Sequence, residues 1–268
     1  LPFVVAALAA PALRLPEGAH PVREAVDLRL DPAADSFTGV VDLAVNLDAP
    51  ARRLRLNGKE LNVTAASVTQ GGSTWPASGR VVDAETLAFA WPKALSGEVS
   101  LHVEYTGRVT ALDTQGVFRQ REGAADYLLS QFEPLDARRA FPCFDDPQFK
   151  VSWQLTVHVP EGNGAWSNTA AEATGDDPDG GQWTRFRETR PLPSYLVAFA
   201  AGPFVSVEAG AAGTNHVPVR LVVPPGEVGH VAWAIEQTGP ILERLEAWFG
   251  EPYPYDKLDI VAIPQTVG

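Results

Sequence analysis

The stretch Val41-Asp-Leu-Ala-Val-Asn-Leu47 decides the fold, because a large apolar residue recurs at every second position along it. A period of two is typical of a β-strand that buries one face. The same spacing occurs upstream at Val26, Leu28 and Leu30, and residues 31–35 between the two segments have the composition of a turn. The sequence therefore predicts two antiparallel strands joined by a short loop.

The period-two pattern returns in later parts of the chain. Its large apolar residues are Val99, Leu101, Val103 and Tyr105 in one segment, and Val151, Trp153, Leu155, Val157 and Val159 in another. The dipeptides Asn57-Gly58 and Gly71-Gly72 favour tight turns. Short strands separated by such turns predict a mainly β fold, with an antiparallel β-sandwich or a saddle-like sheet.

A helical pattern appears only after residue 226. The apolar residues at helical spacing are Ile241, Leu242, Leu245, Trp248 and Phe249. Gly250, followed by Pro252, favours the end of this helix, and residues 258–263 then have the character of a strand. We expect the helix and the strand to belong to a second, mixed α and β domain that is cut short, which would leave the apolar stripe exposed.

The composition narrows the possible partners. A net charge of −12 disfavours nucleic acid and anionic lipid surfaces, because both are negatively charged themselves. After the first residues, no apolar run reaches the roughly 18 residues that a membrane-spanning helix requires, so we expect no membrane insertion. The single cysteine, Cys143, lies between Pro142 and Phe144, and we expect it to be a buried apolar group rather than a reactive thiol.

The beginning of the chain bears on its processing. The chain contains no methionine, so we expect it to be a processed or truncated piece of a longer protein. Residues 1–12 are almost wholly apolar and end in Ala-Ala-Pro-Ala, which resembles the end of a secretory signal, although a linker explains them equally well. The sequence therefore favours neither a cytoplasmic nor an exported location.

One loop concentrates charged residues and prolines. It reads Ser130-Gln-Phe-Glu-Pro-Leu-Asp-Ala-Arg-Arg-Ala-Phe-Pro-Cys-Phe-Asp-Asp-Pro147. Its three prolines restrict the backbone, and rigid loops hold binding groups in place on a scaffold. On the residues alone, we expect Glu133 to pair with Arg138 or Arg139 across the loop, and ligand binding by Glu133 is the alternative.

Other catalytic patterns have less support. Asp145 and Asp146 are neighbours that would seldom project into one cleft, so we expect them to brace the loop through Arg138 or Arg139 rather than to form a hydrolase pair. No serine lies in a Gly-x-Ser-x-Gly motif, and no glycine-rich run is placed to bind phosphate.

Three blocks of the sequence, in the same order, resemble the aminopeptidase N family of zinc metallopeptidases. They are the loop of residues 130–147, Thr189-Arg-Pro-Leu-Pro-Ser-Tyr-Leu-Val-Ala-Phe-Ala-Ala-Gly-Pro-Phe204, and Phe249-Gly-Glu-Pro-Tyr-Pro-Tyr-Asp-Lys-Leu-Asp-Ile-Val-Ala-Ile-Pro264. The resemblance implies an N-terminal β saddle domain at residues 13–204. A leader remnant or linker would occupy residues 1–12, and the truncated start of a thermolysin-like catalytic domain would occupy residues 205–268.

The resemblance also implies an activity and a site. Members of the family hydrolyse the first peptide bond of a peptide with a zinc ion held by His-Glu-x-x-His and a later glutamate. Glu133 matches the glutamate that binds the free N-terminal ammonium group of the peptide, and Gln131 matches the residue that lines the pocket for the first side chain. His-Glu-x-x-His is absent here, so we expect no catalytic or zinc-binding residue within this chain, and we expect the chain alone to be inactive.

Three alternatives remain open at the level of sequence. A non-catalytic binding or scaffold protein could use the same saddle domain. The leukotriene-hydrolase-like branch of the family tends to carry Gln-x-Gln at the loop, and Glu133 argues against it. A carbohydrate-binding sandwich would expose several tryptophans on one sheet face, but Trp153 and Trp248 occupy apolar stripes, so we expect most of the tryptophans to be core residues.

Overall fold

The computed structural model describes residues 14–111 and 113–264, and the expected leader at residues 1–12 lies outside them. The strands are β1 (Ala19–Arg29), β2 (Ser36–Asn57), β3 (Asn62–Gln70), β4 (Ser73–Pro76), β5 (Ser78–Asp83), β6 (Thr86–Arg108), β7 (Gly116–Glu122), β8 (Ala125–Gln131), β9 (Ser152–Pro160), β10 (Gly164–Ser167), β11 (Ala171–Asp176), β12 (Gly181–Phe186), β13 (Phe199–Gly202), β14 (Val205–Ala212), β15 (Val217–Val223) and β16 (Leu258–Val261). The α-helix is α1 (Ala232–Phe249), and short 3₁₀ helices occupy Ala137–Arg139, Ser194–Leu196 and Pro225–His230. The fold is mainly β, as the sequence predicts.

The largest sheet has the strand order β11-β12-β9-β1-β2-β6-β3-β4, and β5 pairs separately with β6. β1 and β2 pair antiparallel, with Val26 opposite Val41, as their spacing predicts. The Gly71-Gly72 turn joins β3 to β4, and both glycines have the positive φ (56° and 76°) that a two-residue hairpin turn requires. β9 returns beside β1 in the parallel direction, and the other pairs described in this sheet are antiparallel.

The inward face of this sheet forms the main core. Leu28, Leu43, Leu101 and Val157 lie on adjacent strands and are fully buried. Burial of each such side chain stabilises the folded chain by about 1.5–3 kcal/mol, which is why the inward row of every strand is apolar with few exceptions. This burial confirms the prediction of which residues in these strands face inward.

A second sheet, with the order β10-β13-β8-β7, is covered on both faces. Successive side chains of β8 point to opposite sides, as in any strand. Leu128 and the following Phe132 belong to the main core, whereas Tyr127 and Leu129 pack with Phe204 in a separate apolar cluster on the other side. The second sheet therefore lies between the main core and a further layer.

The third sheet provides this further layer. β14 pairs antiparallel with β15, and β15 pairs parallel with β16 after the chain crosses through α1. Leu242 of α1 packs on one face of the sheet, while Val222 and Val261 on the opposite face contact the second sheet. The sheet begins at Val205, where the sequence predicts the start of a second domain, and the division into domains stays a prediction.

The helix α1 ends where the sequence predicts. Gly250 has φ of 73°, and its N–H donates to the carbonyl of Glu246 at 2.8 Å, which closes the last turn. Leu242 is buried, but the other four residues of the stripe are exposed, so the expected exposed stripe is confirmed. The expectation that Trp248 is a core residue is wrong, because its side chain is 85% exposed.

Over residues 14–111 and 113–264, we find no helix whose length and apolar character would allow it to cross a bilayer.

Candidate functional site

The candidate site lies at the end of β8. Gln131 is the last residue of the strand, and the period of two places it in the row of Tyr127 and Leu129, on the side of the third sheet. Phe132 turns the other way into the main core, where it packs edge-on against two other phenylalanine rings. This buried ring fixes the backbone from which Gln131 and Glu133 project.

Gln131 and Glu133 lie next to each other at the surface. The backbone N–H of Glu133 donates to Gln131 Oε1 at 3.2 Å, and both residues are exposed. Within the described part of the chain, the Glu133 carboxylate forms no ion pair and no hydrogen bond, because Arg138 and Arg139 bind other carboxylates. The ion pair expected from the residues alone is therefore wrong.

Arg138 is held by two carboxylates. Its Nε donates to Asp145 Oδ2 at 2.8 Å, and its Nη1 donates to Glu85 Oε2 at 3.0 Å. The Arg138 side chain is 9% exposed and that of Asp145 only 1%. Burial by itself lowers the pKa of Arg138, but the hydrogen bonds and charges of its two partners outweigh burial and raise the pKa above its usual value. The prediction that Asp145 braces the loop is confirmed.

Arg139 is held in a similar way on the other side of the loop. Its Nε donates to Asp136 Oδ1 at 2.9 Å, and its Nη1 donates to Glu60 Oε2 at 3.0 Å. Gly116 of β7 lies against this arginine so closely that an added Cβ would be 2.8 Å from the Arg139 Cβ. Both arginines of the loop thus pair with other carboxylates, and neither of them pairs with Glu133.

Asp145 and Asp146 have different partners. Asp145 accepts a hydrogen bond from Ser194 Oγ at 2.5 Å, and its backbone N–H donates to Asn57 Oδ1 at 3.1 Å, so it anchors the loop to two other parts of the chain. Asp146 lies 3.7 Å from Arg14 Nε and is not bonded to either arginine of the loop. For Asp146, the expected pairing with Arg138 or Arg139 is wrong.

Two buried ionisable groups, one in the loop and one on β1, lie on the core side of the candidate site. Cys143 is fully buried, as expected, and burial raises the pKa of its thiol well above the usual value. Glu24 on the inward face of β1 is also fully buried, and neither of its carboxyl oxygens has a hydrogen-bond partner of normal geometry among the described residues. Burial raises the pKa of Glu24 to about 8; the Phe144 backbone N–H lowers it in part, and the charge of Asp145 raises it further.

Sequence reasoning missed Glu24. The signal that could have found it is its position two residues before Val26, which places it in the inward row of β1.

A cleft of about 340 Å³ separates the second sheet from the third beside the candidate site. Leu129 and Ser130 line it from β8, and Val261 and Ile263 line it from the segment that follows the helix. Ser130 directly precedes Gln131, so β8 leads from the wall of this cleft to the candidate residues, which are not themselves among the residues that line it.

Comparison with known proteins agrees with this architecture. Residues 20–196 match the family model described as the Peptidase M1 N-terminal domain, and this chain belongs to that family. Over 265 residues it is 34% identical to Aminopeptidase M1-A of Oryza sativa subsp. japonica, with 94% of this chain and 29% of the rice protein covered. The identity to Glutamyl aminopeptidase of Homo sapiens is 30% over 272 residues, which cover 94% of this chain and 27% of the human protein.

A bacterial relative is closer to this chain in length. Aminopeptidase N of Acetobacter pasteurianus is 30% identical over 258 residues, which cover 94% of this chain and 71% of that protein. The chain thus spans less than a third of the length of the rice and human relatives, and about seven tenths of this bacterial one.

Proposed function

We propose that this chain forms the part of a zinc-dependent aminopeptidase that binds the N-terminus of the peptide substrate. The observation that carries the proposal is the exposed Glu133 carboxylate, which forms no ion pair among the described residues. Glu133 lies three residues after Ser130 of the cleft and pairs with no cation in the described part of the chain, although two arginines follow it within six residues. The three relatives named above are all called aminopeptidases, which supports the reaction class.

Each candidate residue has a distinct role in this proposal. The Glu133 carboxylate accepts hydrogen bonds from the substrate ammonium group, and such charge-assisted bonds contribute about 1.5–3 kcal/mol each. Gln131, which is oriented by the N–H of Glu133, lines the pocket for the first side chain of the peptide. A peptide whose amino group is blocked lacks the positive charge, so it would bind poorly to this pair.

Zinc is part of the proposal because the sequence resembles a family of zinc metallopeptidases. Residues 14–111 and 113–264 contain no group of three or more His, Cys, Asp or Glu side chains that could hold a metal ion. The described residues therefore do not fit a zinc site, and none of them is assigned to the metal or to the chemistry of bond cleavage.

The experiment uses the protein produced from the complete gene. We expect it to hydrolyse an aminoacyl anilide, to leave the N-acetylated anilide intact, and to lose activity in the presence of a chelator. E133Q should lower kcat/KM by about tenfold to a hundredfold, since a tenfold change corresponds to about 1.4 kcal/mol. E98Q, which changes an exposed carboxylate on β6, is the matched control and should behave as wild type.

Two results would contradict the proposal. A kcat/KM of E133Q within twofold of wild type would exclude the role of Glu133 in binding the amine. A complete protein without hydrolysis of the free-amine substrate would favour the non-catalytic binding protein instead.

A further inference from the structure

A buried lysine lies in the seam, by which we mean the contact surface between the second sheet (β10, β13, β8, β7) and the third sheet (β14, β15, β16). Lys257 directly precedes β16, and its side chain is 9% exposed. Its Nζ donates to Asp259 Oδ2 and to the backbone carbonyl of Ser167, each at 2.6 Å. Ser167 is the last residue of β10, so the second of these hydrogen bonds crosses the seam.

Asp259 is fixed from within its own sheet. It lies directly opposite Arg220 in the register of β15 and β16, and Arg220 Nε and Nη2 donate to its two oxygens at 2.8 Å each. Burial raises the pKa of Asp259, but the hydrogen bonds from Arg220 and Lys257 outweigh burial and keep the pKa below its usual value. Asp259 therefore stays charged and holds the Lys257 ammonium group in one position.

The other side-chain contacts seen across the seam are weaker or less directional. Trp166 Nε1 donates to Ser206 Oγ at 3.3 Å, which is long for a hydrogen bond. Next to the seam, Arg187, which follows β12 of the largest sheet, pairs with Asp256, but both side chains are more than half exposed, and exposed pairs contribute little. The apolar contacts between β8 and the third sheet exclude water without fixing a register, because hydrophobic attraction has no direction.

We propose that Lys257 is a positioning residue that locks β16 against β10 and thereby sets the position of Gln131 and Glu133 relative to the chain that continues from β16. Lys257 and Ser130 line the same cleft, which connects the lock to the candidate binding residues. The positioning role rests on the proposed function of Glu133, whereas the lock itself does not.

The lock is tested by hydrogen exchange on the protein produced from the complete gene. K257M keeps an unbranched side chain but removes the ammonium group, and K150M changes an exposed lysine as the matched control. We expect the amides of β10 and β16 to exchange at least tenfold faster in K257M, with β1 and β2 unchanged, and K150M to match wild type.

Exchange in β10 and β16 within twofold of wild type would overturn the lock. If K257M also loses protection in β1 and β2, then K257Q, which removes the charge of Lys257 but keeps a polar side chain, is measured instead, and exchange in β10 and β16 within twofold of wild type would again overturn the lock.

The positioning role is tested by a double-mutant cycle on kcat/KM for the aminoacyl anilide. E133Q should lower kcat/KM at least tenfold in the wild-type background but less than threefold in the K257M background, because a misplaced carboxylate contributes less to substrate binding. Additive losses would overturn the positioning role, since a purely structural lysine would lower activity without changing the effect of E133Q. If wild type hydrolyses no free-amine substrate, the proposed function fails, and the exchange experiment still decides the lock.

Discussion

Removing the ionisable group of Glu24 is expected to stabilise the protein at neutral and alkaline pH. Glu24 is fully buried in the main core, and its pKa is raised from 4.5 to about 8, mainly by burial. The unfolded chain keeps the ordinary pKa, so folding between these two pH values requires the carboxylate to take up a proton. The contribution of Glu24 to stability is therefore most favourable at acidic pH and is lost as the pH rises through this window.

The size of the effect follows from the width of the window. The difference between the two pKa values is roughly 3.5 units, and each unit corresponds to about 1.4 kcal/mol of unfolding free energy. The protein is then destabilised by about 3 kcal/mol at pH 7 and by about 5 kcal/mol well above pH 8, relative to strongly acidic pH. Glutamine has nearly the same shape and cannot ionise, so E24Q should lack this pH-dependent loss.

The assay is urea unfolding of wild type, E24Q and the exposed control E98Q at pH 5 and at pH 8. Between the two pH values, the unfolding free energy of wild type should fall by roughly 3 to 4 kcal/mol more than that of E24Q, and E98Q should follow wild type. If wild type and E24Q respond to pH equally, within about 1 kcal/mol, the reasoning about the buried carboxyl group is refuted.

Two further predictions concern the loop and the glycine beneath it. D145N leaves Arg138 buried without its nearest carboxylate and should lower the unfolding free energy by about 3 kcal/mol. D146N, which changes the neighbouring carboxylate, should lower it by less than about 1 kcal/mol. Equal losses of unfolding free energy in chemical denaturation would contradict the bracing role of Asp145. G116A should lower the unfolding free energy by at least about 1 kcal/mol more than G71A does. Both glycines have positive φ, but a Cβ at Gly116 would lie 2.8 Å from Arg139 Cβ, whereas a Cβ at Gly71 would meet no atom within 4 Å. Equal shifts of Tm in the two variants would argue against this contact.

The strands of the largest sheet could be predicted because burial of one face imposes a period of two on the sequence. The antiparallel pairing of β1 and β2 was predicted correctly from this pattern and the turn between them, and the structure adds the register, with Val26 opposite Val41. The same rule puts Glu24 in the inward row, but the cost of burying a carboxyl group argues for the opposite. Only the packing of the loop around Phe144 and Asp145 over β1 shows that the carboxyl group is enclosed.

The residues alone could not predict that Glu133 pairs with neither Arg138 nor Arg139. Asp145 lies seven residues from Arg138 in the same loop, so this pair was within the reach of local reasoning. Glu85 and Glu60, by contrast, reach the two arginines from 53 and 79 residues away in the chain. Nothing local indicates that these distant carboxylates bind the arginines and leave Glu133 without an ion pair among the residues that the structure describes.

The two-sided burial of β8 limits how this strand can change in length. From Tyr127 to Leu129 the strand is buried on both faces, so a shift of its side chains by one position cannot be absorbed at the surface there. Insertion of one residue after Leu129 would turn Gln131 into the main core and place the Phe132 ring against the cleft. Under the proposed function, binding of the peptide N-terminus at the end of the strand therefore depends on the number of residues that β8 contains as well as on their identity.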